Sequence, residues 1–346
     1  MPDDRHVDGR EGIPVTGNPV FSVIIPTRNR PEMFRRALDS VLRQSFRNIE
    51  ILVVNDGSAP EFLPAYHAIE ANCDARVHWF CQPARPNGHG PSYSINTGAQ
   101  AARGQYLCIL DDDDSWEDME HLAVAWHVMQ ASSETVDVYY SNQRAYCADG
   151  KPIEKPMWLG ILAARLPADS AGAHGTYRVA PAFLLSCNGF PHLNCTIIHR
   201  ELYQEIGGMD EGIRYECEVD LYLRTLNAAS LIIYNPREVA RHNVPDAVAR
   251  NSVSTAVTLL HKRLSQIGVY QKNLARAPTP TIRDVCRNRL AMLYKSLAEY
   301  FAREKEYVIA ATYAQIALGY GASLKWRWYS LYLSLMAALK KQEKRN

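Results

Sequence analysis

The chain has 346 residues, room for an α/β core of about 200–250 residues and a smaller second unit. Lys and Arg number 38 against 37 Asp and Glu, so there is no whole-molecule field for a polyanion, and nucleic acid is not an expected partner. The eight cysteines are scattered with no C-x-x-C pair, and no apolar run approaches ~18 residues. These features argue against a zinc or disulfide framework and a membrane-spanning helix, and fit a cytoplasmic protein with reduced thiols.

Residues 1–19 are polar and rich in Asp, Gly and Pro, without the apolar segment of a signal peptide, and read as a loose tail. Phe21 to Pro26 is a short β-rich run. Pro31 then opens a helix whose Phe34, Leu38, Val41 and Leu42 share one face. A buried strand at 49–54 is closed by Asn55-Asp56-Gly57-Ser58, and a third strand is expected at 77–81. After the Gly/Pro-rich stretch 83–91, a helix at 92–102 leads into the apolar run Tyr106-Leu107-Cys108-Ile109-Leu110. Strand and helix thus alternate as in a doubly wound, mostly parallel sheet.

A helix is expected at 117–131 and a strand at 136–140. Periodicity then fades through 143–191, a length of irregular chain that reads as a functional loop or lid. A strand at 195–199, helices at 201–206 and 216–227, and a strand at 231–234 follow. From 255 onward the pattern is helical. The organisation read is a main domain over 20–254, with halves 20–142 and 143–254, and a helical extension over 255–346.

Four consecutive aspartates, Asp111 to Asp114, follow the apolar run, at the carboxyl end of a buried strand, where open α/β sheets bind ligands. Carboxylates this close repel one another. The plain reading is a solvated turn; the chemical one is a divalent cation, Mn²⁺ or Mg²⁺, that also binds a phosphate.

Several motifs carry a resemblance: Val23-Ile24-Ile25-Pro26-Thr27-Arg28-Asn29-Arg30, Val53-Val54-Asn55-Asp56-Gly57-Ser58, Asn96-x-Gly98, Ala102-x-Gly104 and Leu110-Asp111-Asp112-Asp113-Asp114-x-Trp116. Together they resemble the nucleotide-sugar half of family 2 glycosyltransferases. Gly207-Gly208-Met209-Asp210-Glu211 and Asp220-Leu221-Tyr222-Leu223-Arg224 are similar to the acceptor half. The resemblance implies a GT-A type fold over about residues 20–255.

For the donor, it implies nucleotide-sugar contacts from Pro26, Thr27, Asn29, Arg30, Asp56, Ser92, Asn96, Asp111 and Asp112. Asp56 would accept the imide N–H of uracil, and Ser92 would also cap its helix. Arg28 stands where many relatives carry an aromatic, which weakens the case for base stacking. Asp113 would bind the cation directly, with Asp111 on the ribose or the metal's water shell, and His242 as a third ligand from a loop after the last strand. Arg241 and Arg250 are alternatives for the diphosphate. Asp114 is expected to cap the following turn, and His192 to be an ordinary loop histidine.

For the acceptor, Glu218 falls where the family's base belongs, with Asp220 the runner-up and Glu216 a poor third; Cys217 reads as packing. The function implied is a metal-dependent, inverting transfer of a sugar, with UDP-sugars favoured, to a hydroxyl of a glycan or lipid-linked acceptor in polysaccharide biosynthesis. Two alternatives share the sheet and the acids: a binding scaffold with a decayed base position, and a sugar-phosphate nucleotidyltransferase. The second lacks its usual glycine-rich loop after the first strand. At the C-terminus, Lys325-Trp326-Arg327-Trp328-Tyr329 and the basic run 340–345 suit peripheral contact at the inner face of a membrane, against a plain packing helix.

Overall fold

The computed structural model describes residues 18–244, 257–276 and 279–343. Most of the expected tail, Arg250 and the boundary near 255 lie outside the described residues. Strands β1 (Phe21–Thr27), β2 (Ile49–Asn55), β3 (Val77–Cys81) and β4 (Tyr106–Ile109) run parallel in the order β3-β2-β1-β4. The helices between them are α1 (Pro31–Leu42), α2 (Leu63–Glu70) and α3 (Pro91–Ala101). The chain leaves β1 toward β2 on one side and returns to β4 on the other, so the switch point of the sheet lies between the ends of β1 and β4.

Two motif glycines let the elements close on β1. A Cβ on Gly98 of α3 would stand 2.6 Å from Ile24 Cγ2, and one on Gly104 the same distance from Ser22 N. Beside them, the buried Glu50 carboxylate accepts bonds from Ser22 Oγ, the Arg103 amide and Arg103 Nε, tying β1 and β2 to the turn before β4.

Beyond β4 the sheet becomes mixed. Strand β8 (Thr196–His199) is antiparallel to β4 and to β6 (Val138–Tyr146); β9 (Ile232–Asn243) is parallel to β6. Short β5 (Ser115–Trp116) and β7 (Tyr177–Arg178) pair antiparallel with β9. The remaining helices are α4 (His121–Ala131), α5 (Pro181–Leu184), α6 (Arg200–Glu205) and α7 (Cys217–Ala228).

Here the expected boundaries need correction. Strand β6 runs on to Tyr146 and β9 to Asn243, because their outer halves pair across two register shifts. Polar Asn142, Gln143 and Glu238 interrupt the apolar run that marks a buried strand. The helix expected from 117 starts at His121, since β5 takes Ser115 and Trp116 into the sheet.

Among the described residues four helices follow: α8 (Leu259–Arg276), α9 (Pro280–Arg303), α10 (Tyr307–Tyr320) and α11 (Leu324–Glu343). Their first pair joins the main core through Val269, Ile282 and Cys286. A buried carboxylate pins the junction. Asp220 of α7 receives Arg224 Nε at 2.9 Å, Lys272 Nζ at 2.8 Å and Asn273 Nδ2 at 2.8 Å. Lys272 also reaches Asp210. Removing Asp220 takes the carboxylate from half-buried Arg224 and buried Asn273 and leaves Lys272 with Asp210 alone, so Asp220→Ala should lower the unfolding free energy by about 3 kcal/mol. Urea denaturation measures this; a loss under ~1 kcal/mol would mean that apolar contact alone holds the helices on.

Candidate active site

After β4 the backbone turns tightly, with Asp114 N donating to Asp111 O. Each aspartate then meets different company. Asp112 is buried, accepting Thr27 Oγ1 at 2.8 Å and pairing with Arg30 at 2.6 Å; Asp113 pairs with the same guanidinium at 2.7 Å. Asp114 does not cap a turn. The β5–β9 register sets Ser115 against Arg241 and carries Asp114 to His242, whose Nδ1 stands 2.9 Å from its carboxylate. Asn243 N and Asn194 Nδ2 also donate to it. His242 is therefore a strand residue, not a loop one. Asp111 has no hydrogen-bond donor or ion-pair partner on its carboxylate among the described residues.

Facing these acids is Glu218, near the N-terminus of α7, where the helix dipole favours an anion. The preceding Glu216 is held left-handed at φ 68° and accepts Gln266 Nε2, which takes it out of competition as a base. Asp220 lies two residues on and so on the opposite face of the helix, locked in its cation cluster. The runner-up base is thereby a structural acid. Cys217 is buried and its thiol is pushed up to about 12 by burial, then by Glu218, which fits packing and not nucleophilic work.

His192 corrects the reading as an ordinary loop histidine. It stands at the entry to β8, which antiparallel pairing brings beside the exit of β4. Its Nδ1 is buried without a hydrogen bond, 3.4 Å from Glu218 Oε2. Its ring lies 4.4 Å from that of His242. Trp158 packs edge-on to both imidazoles, at 5.0 and 5.1 Å. Trp158 itself holds φ 51°, a strained conformation for a bulky side chain, and Gly189 makes room for its carbonyl. Only the position of 188–194 ahead of a strand hinted at this cluster; nothing in the sequence marked Trp158.

The electrostatics follow from the crowding. Burial, then the neighbouring carboxylates, pushes Asp111 well above the usual range; burial raises Glu218 to about 8 and Asp112 to about 7, Arg30 opposing in the last case. Burial also lifts Asp114 against the His242 bond. His192 is driven well below its ordinary value by burial and then by His242, so its ring is neutral. Burial pulls His242 down, but the Asp114 bond and charge outweigh it.

These residues fit a divalent cation. Ligand atoms of Asp111, His192 and Glu218 lie within 4.8 Å of one another, as do those of Asp114, His192 and His242. An acid without a donor and a neutral imidazole with a bare nitrogen are what such an ion needs, and mixed oxygen and nitrogen donors suit Mn²⁺ better than Mg²⁺. The groupings differ from the expected set of Asp113, Asp111 and His242. His192 links the two clusters, while Asp113 is engaged by Arg30.

Asp56 ends β2 and accepts His89 N and Nδ1 on Oδ1, both at 2.8 Å, and Gly90 N on Oδ2 at 3.0 Å. A Cβ on Gly88 would stand 2.3 Å from that Oδ2. Asn29, at φ 58°, accepts Ala59 N on Oδ1 and donates its backbone N–H to Ser58 Oγ, stitching the two strand ends together. Pro26 and Thr27 close β1 between them, and the Arg28 guanidinium folds onto the Arg85 and Pro86 carbonyls.

Three expectations are revised. Gly90, not Ser92, is the N-cap of α3; Ser92 is the second helical residue and buried. Asn96 binds Met209 O, Met209 N, Glu211 and Tyr203, which makes it a joint to the 207–211 turn and not a nucleotide ligand. Arg241 stacks on Tyr146 at 3.8 Å and binds Asn243.

A parallel sheet with its switch point lined by Thr27, Asp56 and the aspartate turn, closed by a mixed edge that delivers Glu218, defines a GT-A type domain. Residues 22–206 match the model of Glycosyl transferase family 2, and the chain belongs to that family. An uncharacterized glycosyltransferase of Rickettsia prowazekii is 27% identical over 229 residues, 64% of this chain and 63% of that one. The amylovoran biosynthesis glycosyltransferase AmsB of Erwinia amylovora is 26% identical over 207 residues, 59% of this chain and 63% of its own. A Campylobacter jejuni GalNAc(5)-diNAcBac-PP-undecaprenol beta-1,3-glucosyltransferase is 32% identical over 96 residues, 28% and 30% of the two chains. The chain thus spans somewhat under two thirds of the first two relatives.

Among solved structures, S. aureus TarS with UDP-GlcNAc superposes with a TM-score of 0.58 at 14% identity, covering 85% of this chain and 80% of that one. The mannosyltransferase PcManGT of Pyrobaculum calidifontis, with GDP-Man and Mn²⁺, gives 0.56 at 18%, covering 96% and 89%. At these identities the likeness is one of fold.

Two predictions test the site. With Glu218 at about 8, and Asp111, Asp112 and Asp114 also raised, the native state keeps protons that the unfolded chain releases above the ordinary carboxylate range. Stability from these groups falls as pH rises toward 8, and a cation that displaces the protons restores it. The Mn²⁺-induced rise in Tm should therefore be larger near pH ~8 than near ~5.5; a pH-independent rise would contradict this. Trp158→Ala should weaken Mn²⁺ affinity about tenfold by freeing both imidazoles, read by titration calorimetry.

Proposed function

We propose that the protein transfers a sugar from a nucleoside diphosphate sugar, with UDP-sugars favoured, to an acceptor hydroxyl, with inversion at the anomeric carbon and with the help of a divalent cation. The observation that carries this reading is the contrast between two acids on one helix. Glu218 faces the aspartate turn with no strong hydrogen bond to occupy it, while Asp220 is consumed by three side chains.

In the reaction, Thr27, Arg30 and Asp112 form the floor for the nucleotide, with the nucleotide's diphosphate over the aspartate turn. A cation held by Asp111 or Asp113 with His192 or His242 would supply positive charge to the departing diphosphate. Glu218 accepts the proton of the acceptor hydroxyl as its oxygen attacks the face of the sugar opposite the leaving group. Trp158 excludes water on the side of the histidines. Mn²⁺ in PcManGT, and the nucleotide sugars bound by TarS and PcManGT, agree with this division of labour. A lipid-linked glycan as acceptor and a place in polysaccharide assembly are in keeping with the names of the Campylobacter and Erwinia relatives.

The preference for uracil has its own argument. Both lone pairs of Asp56 Oδ1 are used by His89, and one of Oδ2 by Gly90, which leaves capacity for a single further donor. Uracil offers one imide N–H; guanine offers two adjacent donors. UDP should raise the Tm in the presence of Mn²⁺ while GDP at the same concentration gives little. Equal shifts would remove the uracil preference without touching the rest.

Turnover of a UDP-sugar panel tests the base. Glu218→Gln should lower kcat by about 10²–10⁴ with donor affinity nearly unchanged. Full activity in that variant would reject Glu218. Donor binding without turnover in the unaltered protein, across the whole panel, would favour the binding-scaffold alternative.

A further inference from the structure

The last helix carries a feature that sugar transfer does not explain. In α11, Leu324, Trp328, Leu331, Leu335 and Leu339 are 75%, 70%, 60%, 59% and 47% exposed. At about 100° per residue these five fall within an arc of about 80°, so they form one continuous stripe; Tyr332, 49% exposed, borders it. The opposite side is sealed. Trp326 and Leu333 pack into the cluster of Ala310, Ala311 and Ala314 on α10. The stripe is thus not a core face left over from poor packing, because the helix already has its buried side.

The flanks of the stripe are basic. On the same helical wheel Lys325 borders one edge, and Arg327 and Lys341 the other, all three exposed, while Glu343 is the sole acid of the helix. An apolar strip with aromatic residues, edged on both sides by cations, has the chemistry of an interfacial helix. No helix among the described residues is long and apolar enough to cross a membrane. Self-association is the competing use of such a stripe, but charge opposes it. Two parallel copies of α11 would set Lys325 against Arg327 with no acid between them, and an antiparallel pair, though it brings Lys325 to Glu343, would set Arg327 against Lys341. An anionic surface removes that conflict.

We propose that α11 lies in the headgroup region of an anionic lipid bilayer, its stripe in the acyl boundary and its flanking cations on lipid phosphates. The inference is independent of the transfer reaction. Co-sedimentation of the full chain with phosphatidylcholine vesicles, with and without phosphatidylglycerol, tests it. Binding should appear with phosphatidylglycerol and weaken as salt rises from about 0.1 M to about 0.5 M, where the Debye length falls well below ~10 Å. L331E/L335E should reduce vesicle partitioning at least about tenfold. Both positions are exposed, so its melting curve should match that of the unaltered chain. R327E/K341E should lose the phosphatidylglycerol dependence.

Failure of the unaltered chain to bind phosphatidylglycerol vesicles would overturn the proposal, as would binding that L331E/L335E leaves intact. So would sedimentation equilibrium showing a dimer that L331E/L335E dissolves, with no vesicle binding, since the stripe would then belong to a second copy.

Discussion

The mutual repulsion of buried carboxylates governs this structure. Asp111, Asp112, Asp113, Asp114 and Glu218 converge at one edge of the sheet, and among the described residues the cationic groups in direct contact with them are the Arg30 guanidinium and the His242 imidazole. Low dielectric makes such a cluster costly unless it holds protons or meets more positive charge. The raised values at Asp111, Asp112, Asp114 and Glu218 are the protonated answer. A divalent cation with a bound diphosphate is the functional answer that we propose. In that proposal the repulsion among these acids is what favours cation binding.

The fold decides which groups answer the repulsion. Parallel strands alone would present only the loops after β1, β2 and β4. Inserting β8 antiparallel beside β4 brings His192 and Asn194 back to the aspartate turn. The long β9 returns through β5 to set His242 and Asn243 on Asp114. Helix α7 then delivers Glu218 by its N-terminus and spends Asp220 on holding the C-terminal helices. One helix thus carries the proposed base on one face and the joint to the C-terminal helices on the other.

What was legible in the sequence follows from range. The four parallel strands, α1 and the aspartate turn are written in local apolar runs and their punctuation, so the placement of Thr27, Arg30, Asp56 and the acids at strand ends was legible. The family resemblance supplied Glu218, which no local pattern singles out from Glu216 or Asp220. Apart from the cap of α3, placed at Ser92 instead of Gly90, the misreadings at the site involve long-range pairing. His242 was taken for a loop residue because the outer half of β9 is polar; Asp114 for a turn cap because its partners are 80 and 128 residues distant. Asn96 looked like a ligand because its bonds to Met209 and Tyr203 cannot be inferred from its own neighbourhood. Trp158 lies in a stretch with no periodicity at all.

In the proposed reaction a cation joins the acidic turn to a nucleoside diphosphate. Titration calorimetry of UDP, with Mn²⁺ and then with excess chelator, tests it most directly. The account predicts that Mn²⁺ tightens UDP binding at least about tenfold, ~1.4 kcal/mol, and that this gain vanishes in Asp111→Asn/Asp113→Asn. Equal affinity for UDP in chelated and Mn²⁺-loaded protein would contradict it.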